Sequence, residues 1–364
     1  MPEEVSFTAQ QGKEALSFIH MHFYGRTTSQ WHVGKRKRGC LLLTRDDYLW
    51  GRGVRGPVLR QLWRTFCPKS DVKDGASFLP ERDCPSCRMA GDCPFANLRG
   101  CNGEGEFKDK PRLIITNLRF IDNVRKGRVA LTSISDEYMS AVKGRIPTFI
   151  EYLSEGATFE FEAILMAEGV QFADALESAV KVSLKFHGWG GFCNEGFGRA
   201  TITKVERNCF DAFNRKYVEP LAEKIENGRT LSFTIKPLLI LEKDGNSLYR
   251  SIHEEGFLDK LCHCIDERYW QFYGEHIHIK SKVEKLGGMA KTVKFHAWSR
   301  KLGKPITFEG IGNQISLHLN SNLKHEEAKA LAIAKYGVGR FKNQGFGSLL
   351  TEQYESLNKN SAMM

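Results

Sequence analysis

The sequence has 364 residues, with 53 Lys+Arg against 43 Asp+Glu for a formal net charge of +10, and it is 41% hydrophobic and 11% aromatic. That content excludes a disordered chain, and at about 100–200 residues per domain it predicts two domains, each with its own core. No apolar run approaches the roughly 20 residues of a membrane helix, and the acidic start MPEEVSFTAQQGKEALSF is unlike a signal peptide, so a cytoplasmic protein with no membrane partner and a polyanionic ligand is expected.

Along the chain, ALSFIHMHFYG alternates as a strand and carries His20 and His22 on one face. The basic run Lys35, Arg36, Lys37 and Arg38 follows between Gly34 and Gly39 and is expected to be a loop. VRGPVLRQLWRTF reads as a helix, with Arg52, Arg55 and Arg60 at its N-terminal end, where they oppose the helix dipole and an anion would relieve them. After a cysteine-rich stretch, GATFEFEAILMAEG alternates as a strand and FADALESAVKVSLKF has helical periodicity. A glycine-rich loop and the strand ATITKVE close this half. The second half repeats the order with LSFTIKPLLILE, the helix EEGFLDKLCHCIDERYWQFYG, the strand ITFEGIGNQISLHL, the helix KHEEAKALAIAKY, a second glycine loop and SLLTEQY.

The two loops define an internal repeat. HGWGGFCNEGFG and YGVGRFKNQGFG share Gly-x-Gly-x-Phe-x-Asn-[Glu/Gln]-Gly-Phe-Gly, 149 positions apart, so that Gly188, Gly190, Gly196 and Gly198 correspond to Gly337, Gly339, Gly345 and Gly347. Strands separated by helices in both halves predict an α+β protein of two ferredoxin-like (RRM-like) βαββαβ domains in tandem. The first would span residues 1–206 with an insertion at about 64–105, the second 229–364, and residues 207–228 would link them. Neither loop is a Walker A or a Rossmann fingerprint, because no Gly-Lys-[Ser/Thr] follows and the strand–loop–helix order is reversed. Outward-pointing N–H groups, with Arg199 after the first loop and Arg340 and Lys342 inside the second, suit a polyanion; Phe197 and Phe346 are expected to plug the core.

Cys67, Cys84, Cys87, Cys93 and Cys101 fall in one stretch rich in Pro, Gly and Asp, with a single Cys-x2-Cys knuckle. In a chain without an export signal this spacing predicts a structural Zn2+ held by Cys67, Cys84, Cys87 and Cys93, with Cys101 as a possible replacement.

The doubled module with its terminal G-x-G-x5-G-F-G loop resembles the CRISPR-associated RAMP superfamily. FIHMHFYG, SQWHVGKRKRG and LLLTRDDYLWGRGVRGPVLRQL are similar to backbone subunits of type III effectors, with His32-Val33-Gly34 at the family's His-x-Gly turn and Gly51–Gly56 at its glycine-bracketed helix start. FHAWSRKLGKPITFEGIGNQISL and the last loop are more similar to the C-terminal domain of the precursor-CRISPR-RNA endoribonuclease. The resemblance implies a prokaryotic ribonucleoprotein subunit that holds CRISPR guide RNA, at its 5′ repeat handle or along its spacer, for recognition of a complementary target, single-stranded RNA, alongside other effector subunits in antiviral defence. Type III members often carry zinc-bearing insertions. The implied RNA contacts are Lys35, Arg36, Lys37, Arg38, Arg52, Arg55, Arg60, Arg199, Arg340, Lys342 and the eight loop glycines.

An enzyme is the less favoured expectation. Metal-independent RNA cleavage needs a base, an acid and a cation, for which His20, His22 and His32 are the candidates. Metal-dependent target cleavage in the family's backbone subunits uses an aspartate in the loop after the His-x-Gly turn, and Gly34–Cys40 contains no acid. The alternative function is therefore a metal-independent endoribonuclease acting on precursor CRISPR RNA.

Overall fold

A computed structural model describes residues 17–67, 83–101, 111–131, 147–243, 247–299 and 304–351. Residues 68–82 and 102–105 of the expected insertion, and 106–110 and 132–146 after it, lie outside the described residues.

The first alternating run forms β1 (Phe18–Thr27). The basic run is a strand, contrary to the loop expected: β2 (Gly34–Arg38) and β3 (Leu41–Thr44) make an antiparallel hairpin pairing Lys37 with Leu42 and Arg38 with Leu41. Gly39, at φ +59°, supplies the left-handed residue that the tight turn requires. β4 (Tyr48–Leu49) leads into α1 (Gly51–Phe66), whose Val54, Val58, Leu59 and Leu62 form the buried stripe. Then come α2 (Pro94–Arg99), β5 (Leu113–Ile115), β6 (Leu118–Asp122), β7 (Lys126–Leu131), β8 (Thr148–Leu153), β9 (Thr158–Met166), α3 (Ala173–Val182) and β10 (Ala200–Asn208). The main sheet runs β10-β1-β9-β6-β4, with β5 also on β9. A second sheet, β2-β3-β8-β7, joins the basic hairpin to a β7–β8 ribbon through the parallel β3–β8 pair.

Residues 209–226 are helical and packed. α4 (Phe210–Phe213), a wider π-type turn at Asn214–Val218 and α5 (Glu219–Glu226) send Phe213, Leu221, Ala222 and Ile225 into the C-terminal core. The second half is β11 (Thr230–Leu239), α6 (Phe257–Tyr273), β12 (Val283–Gly287), β13 (Lys291–Ser299), β14 (Lys304–Leu319), α7 (His325–Ile333) and β15 (Ser348–Thr351). Its sheet runs β12-β14-β11-β15, with β13 on β14. In both main sheets the first strand of the half therefore lies between its last strand and the strand before the helix that leads into the glycine loop.

β1 shows how the halves meet. Met21 and Phe23 enter the N-terminal core with α1 and α3, whereas Phe18 faces the C-terminal core and His20 packs on Phe213 and Tyr217 of the connecting helices. The period of two thus divides one strand between a face toward the first half's core and a face toward the connecting helices and second half.

Candidate nucleic-acid interface

The two glycine loops have nearly the same backbone. Phe192 and Phe341 both stand at φ +59°, and Gly196 and Gly345 at +85° and +80°. Most of the N–H groups are used internally. In the first loop those of Gly188, Gly191 and Gly198 go to the carbonyls of Ser183, His32 and Gln30; in the second, those of Val338, Arg340 and Gly347 go to the carbonyls of Gly347, Ile240 and Leu238. A Cβ on Gly198 or Gly347 would lie 2.1 Å from the carbonyl oxygen of Trp189 or Val338, so both glycines permit the loop to fold back on itself. Phe197 and Phe346 are buried, as expected.

Their surroundings differ. The second loop is docked on the start of α1: the Gly51 N–H donates to Asn117 Oδ1 (2.9 Å), Asn117 Nδ2 donates to the Gly345 carbonyl (3.0 Å), and Trp50 packs edge-on against Phe346 (5.8 Å). Arg268, fully buried beneath it, donates to the Gly337 carbonyl (2.7 Å) and Asn343 Oδ1 (3.0 Å); burial lowers its pKa to about 9. In the first loop Asn194 and Glu195 are exposed, and nothing lies within 4 Å of a Cβ placed on Gly196.

The basic candidates separate in the same way. Lys35, Lys37 and Arg38 are exposed on β2; the side chain of Arg36 lies outside the described residues. This strand begins two residues after His32, which bridges to Gly191 of the open loop, so the hairpin and that loop adjoin. Arg60 and Arg199 are exposed. Arg52 is held at the joint, near Gln344 (3.4 Å) and over the ring of Phe308 (5.0 Å). Arg55 is turned inward, donating to the Leu98 carbonyl (3.2 Å), and burial followed by nearby Arg99 lowers its pKa to about 10. Arg340 pairs with Glu242, and Lys342 with Glu267 (3.0 Å) in a mostly buried site that lowers its pKa.

The candidate histidines belong to structural networks. His20 is fully buried, with Nε2 against Glu162 Oε2 (2.7 Å) and Nδ1 against Asn208 (3.2 Å). Burial lowers its pKa more than Glu162 raises it. Tyr336 OH also donates to Glu162 (2.7 Å). Burial opposes ionisation of Glu162, yet nearby Lys335 and then the His20 hydrogen bond hold its pKa well below the ordinary carboxylate value. His22 has Nδ1 near Tyr24 OH (3.2 Å) and Tyr217 OH (3.3 Å) and Nε2 against Glu160 (3.2 Å). His32 is buried, with Nδ1 on the Glu151 carbonyl (2.8 Å) and a lowered pKa from burial. Glu162, Lys335 and Tyr336 were missed in the sequence. The usable signal was His-x-His on β1 matched by Glu-x-Glu on β9, which the register sets opposite as His22 with Glu162 and Tyr24 with Glu160.

The cysteines converge. The Cys84 thiol hydrogen-bonds with that of Cys101, which with burial and nearby Cys93 and Cys67 pushes its pKa up. Burial raises that of Cys93 despite hydrogen bonds from the backbone of Ala96 and Phe95, with Cys67 and Cys87 adding to the rise. The Cys87 N–H donates to the Cys84 carbonyl (3.0 Å), closing the knuckle turn. Among the described residues, no three or more His, Cys, Asp or Glu side chains are arranged to hold a metal ion. Nor, among those residues, is any helix long and apolar enough to cross a membrane.

No family model and no curated protein sequence matches the chain. Among solved structures it is similar to a Cas6 mutant (13% identity, 93% of this chain and 99% of that one, TM-score 0.40) and to Thermus thermophilus Cas6 (11%, 93% and 100%, TM-score 0.38). It is also similar to a chain of the type III-B Cmr-beta complex bound to cognate target RNA (11%, 53% of this chain, TM-score 0.35), of whose length it spans 61%.

Proposed function

We propose that the chain is an RNA-binding CRISPR protein of the RAMP kind, built from two ferredoxin-like units, that holds guide RNA within a multi-subunit effector for recognition of a complementary target RNA. The observation that carries this reading is the exposed basic hairpin: Lys35, Lys37 and Arg38 project from a strand joined through His32–Gly191 to the open glycine loop. Exposed cations on a short strand can neutralise phosphates without base contacts. The matched orders β10-β1-β9 and β15-β11-β14 in the two main sheets support the tandem units.

Holding fits the site better than cutting. A general base needs an imidazole nitrogen open to the 2′-hydroxyl; both ring nitrogens of His20 have hydrogen-bond partners, and His22 keeps Nδ1 near Tyr217 OH with Nε2 buried against Glu160, which leaves His32, with Nδ1 on the Glu151 carbonyl, as the base to replace first if cleavage is seen. Zn2+ held by Cys67, Cys84, Cys87 and Cys93, with Cys101 as replacement, would staple a stretch with little core of its own; thiolate is the ligand chemistry such an ion takes, and the thiols would have to draw together around it. Metal analysis is expected to find about one equivalent of zinc per chain, and finding none removes it.

Incubating the pure protein with labelled CRISPR-repeat RNA in EDTA, read on native and denaturing gels, tests the function. A shifted, intact RNA is expected. Cleavage at one position would make it a processing endoribonuclease, and the absence of any shift would overturn the RNA-binding reading.

A further inference from the structure

A second basic, aromatic face lies where α1 and the end of α3 meet. α3 runs into a π-type turn, Ser183–His187, whose last three residues, Lys185, Phe186 and His187, are exposed. Phe186 is 61% exposed, with Lys185 Nζ 5.4 Å from the centre of its ring. α1 packs beside this turn, and its C-terminal Phe66 is 41% exposed. Arg60 and Arg64, four residues apart on one helix face, point the same way. Arg64 lies with Nη1 3.5 Å from His187 Nε2, and burial followed by Arg64 and Arg60 lowers the His187 pKa.

Isolated exposed apolar side chains are normal, but an exposed phenylalanine set among cations at the meeting of two elements is not a scattered surface. A protein-binding patch would have a continuous apolar centre with lysine depleted; this face sets one ring, Phe186, beside Lys185 and the Arg64–His187 contact. Flat rings for bases and cations for phosphates are the means by which single strands are bound without sequence reading. The face is also continuous with the first site. His187 leads directly into Gly188–Gly191, where Gly190 is exposed without a side chain, and Gly191 bridges to His32 at the base of the hairpin.

We propose that single-stranded RNA leaving the basic hairpin crosses the open glycine loop onto this face, stacking a base on Phe186 and setting the flanking phosphates against Lys185, Arg60 and Arg64. This rests on the RNA-binding reading above and extends it with a second tract. The phenylalanine that serves it is exposed, so its replacement leaves the core intact.

The test is direct binding of an oligouridine about 30 nucleotides long, enough to span two sites of the usual size, together with photo-crosslinking of a 4-thiouridine version. Phe186→Ala is expected to weaken binding roughly tenfold, Phe186→Trp to preserve it, and crosslinks to reach the peptide containing Phe186. If Phe186→Ala binds as tightly as wild type while charge reversal at Lys35, Lys37 and Arg38 still weakens binding, the second tract is wrong and the first stands. If Phe186→Ala instead alters self-association in sedimentation and leaves RNA affinity unchanged, the face is a protein contact and the inference falls. If the wild type binds no RNA, both readings fall together.

Discussion

Gly198 and Gly347 have φ of +83° and +66°, and each would place a Cβ 2.1 Å from a carbonyl of its own loop; Gly196 and Gly345, two residues earlier, share a conformation but not an environment. In the second loop Gly345 meets Asn117 and Gly51 of the other domain, Asn343 receives the buried Arg268, and Tyr336 gives its hydroxyl to Glu162. In the first loop Gly196, Asn194 and His187 hold the equivalent places with nothing built over Gly196 and the other two exposed. One backbone design serves as a mortise in one half and as open surface in the other. The glycine pattern therefore encodes a fold-back, and function depends on what is left uncovered.

The shared part of that comparison should give the largest effects. Gly198→Ala and Gly347→Ala each drive a methyl group into a backbone carbonyl, so each is expected to cost about 3 kcal/mol or more in denaturant unfolding, and by similar amounts. Clearly unequal losses would mean that the two loops fold back for different reasons.

Next comes the buried group that holds the second loop's entry. Glu162→Gln removes the charge facing Lys335 and His20 and the acceptor of Tyr336, and is expected to cost roughly 2–4 kcal/mol, whereas His187→Gln, at the place before the first loop that matches Tyr336, should stay within about 0.5 kcal/mol. The unmatched glycines should differ as well. Gly345→Ala would meet Asn117 Oδ1 at 2.4 Å and the Gly51 nitrogen at 3.0 Å, and is expected to cost about 2–3 kcal/mol. Gly196→Ala meets nothing and should cost about 1 kcal/mol, from the left-handed backbone alone. Equal losses for this pair would show that the docking contacts contribute little.

Acid provides a subtler test. His20 and Glu162 both have folded pKa values depressed below their unfolded ones. Their contribution is full above the unfolded values and is lost as pH falls through the folded ones. The melting temperature should therefore decline as pH drops below about 6.5, from His20, and again below about 4.3, from Glu162. In Glu162→Gln the second decline should be reduced, which thermal melts across pH can resolve.

Much of the frame was legible because it depends on local pattern. The glycine repeat, the alternating FIHMHFYG and the helical stripe of α1 each express a period that one element can carry alone. The second sheet was not legible: β2 is a basic run with no apolar alternation, and it is a strand because Gly39 turns it onto β3, which then finds β8 a hundred residues away. The histidines were read on the correct face, but that this face is a domain joint depends on Phe213, Tyr217 and Tyr336 arriving from distant segments. Arg55 was read from its place at the helix start, and only the packing of α2 shows that it points inward.

The central claim, that the hairpin holds an RNA backbone, is tested most directly by a salt titration of repeat-RNA binding for the wild type beside the combined Lys35→Glu, Lys37→Glu, Arg38→Glu variant. The account predicts strong salt dependence in the wild type. In the variant it predicts a weaker affinity, with the slope of log affinity against log salt reduced by roughly 0.7 for each phosphate that is no longer neutralised. Equal affinities and equal slopes for the two proteins would contradict it.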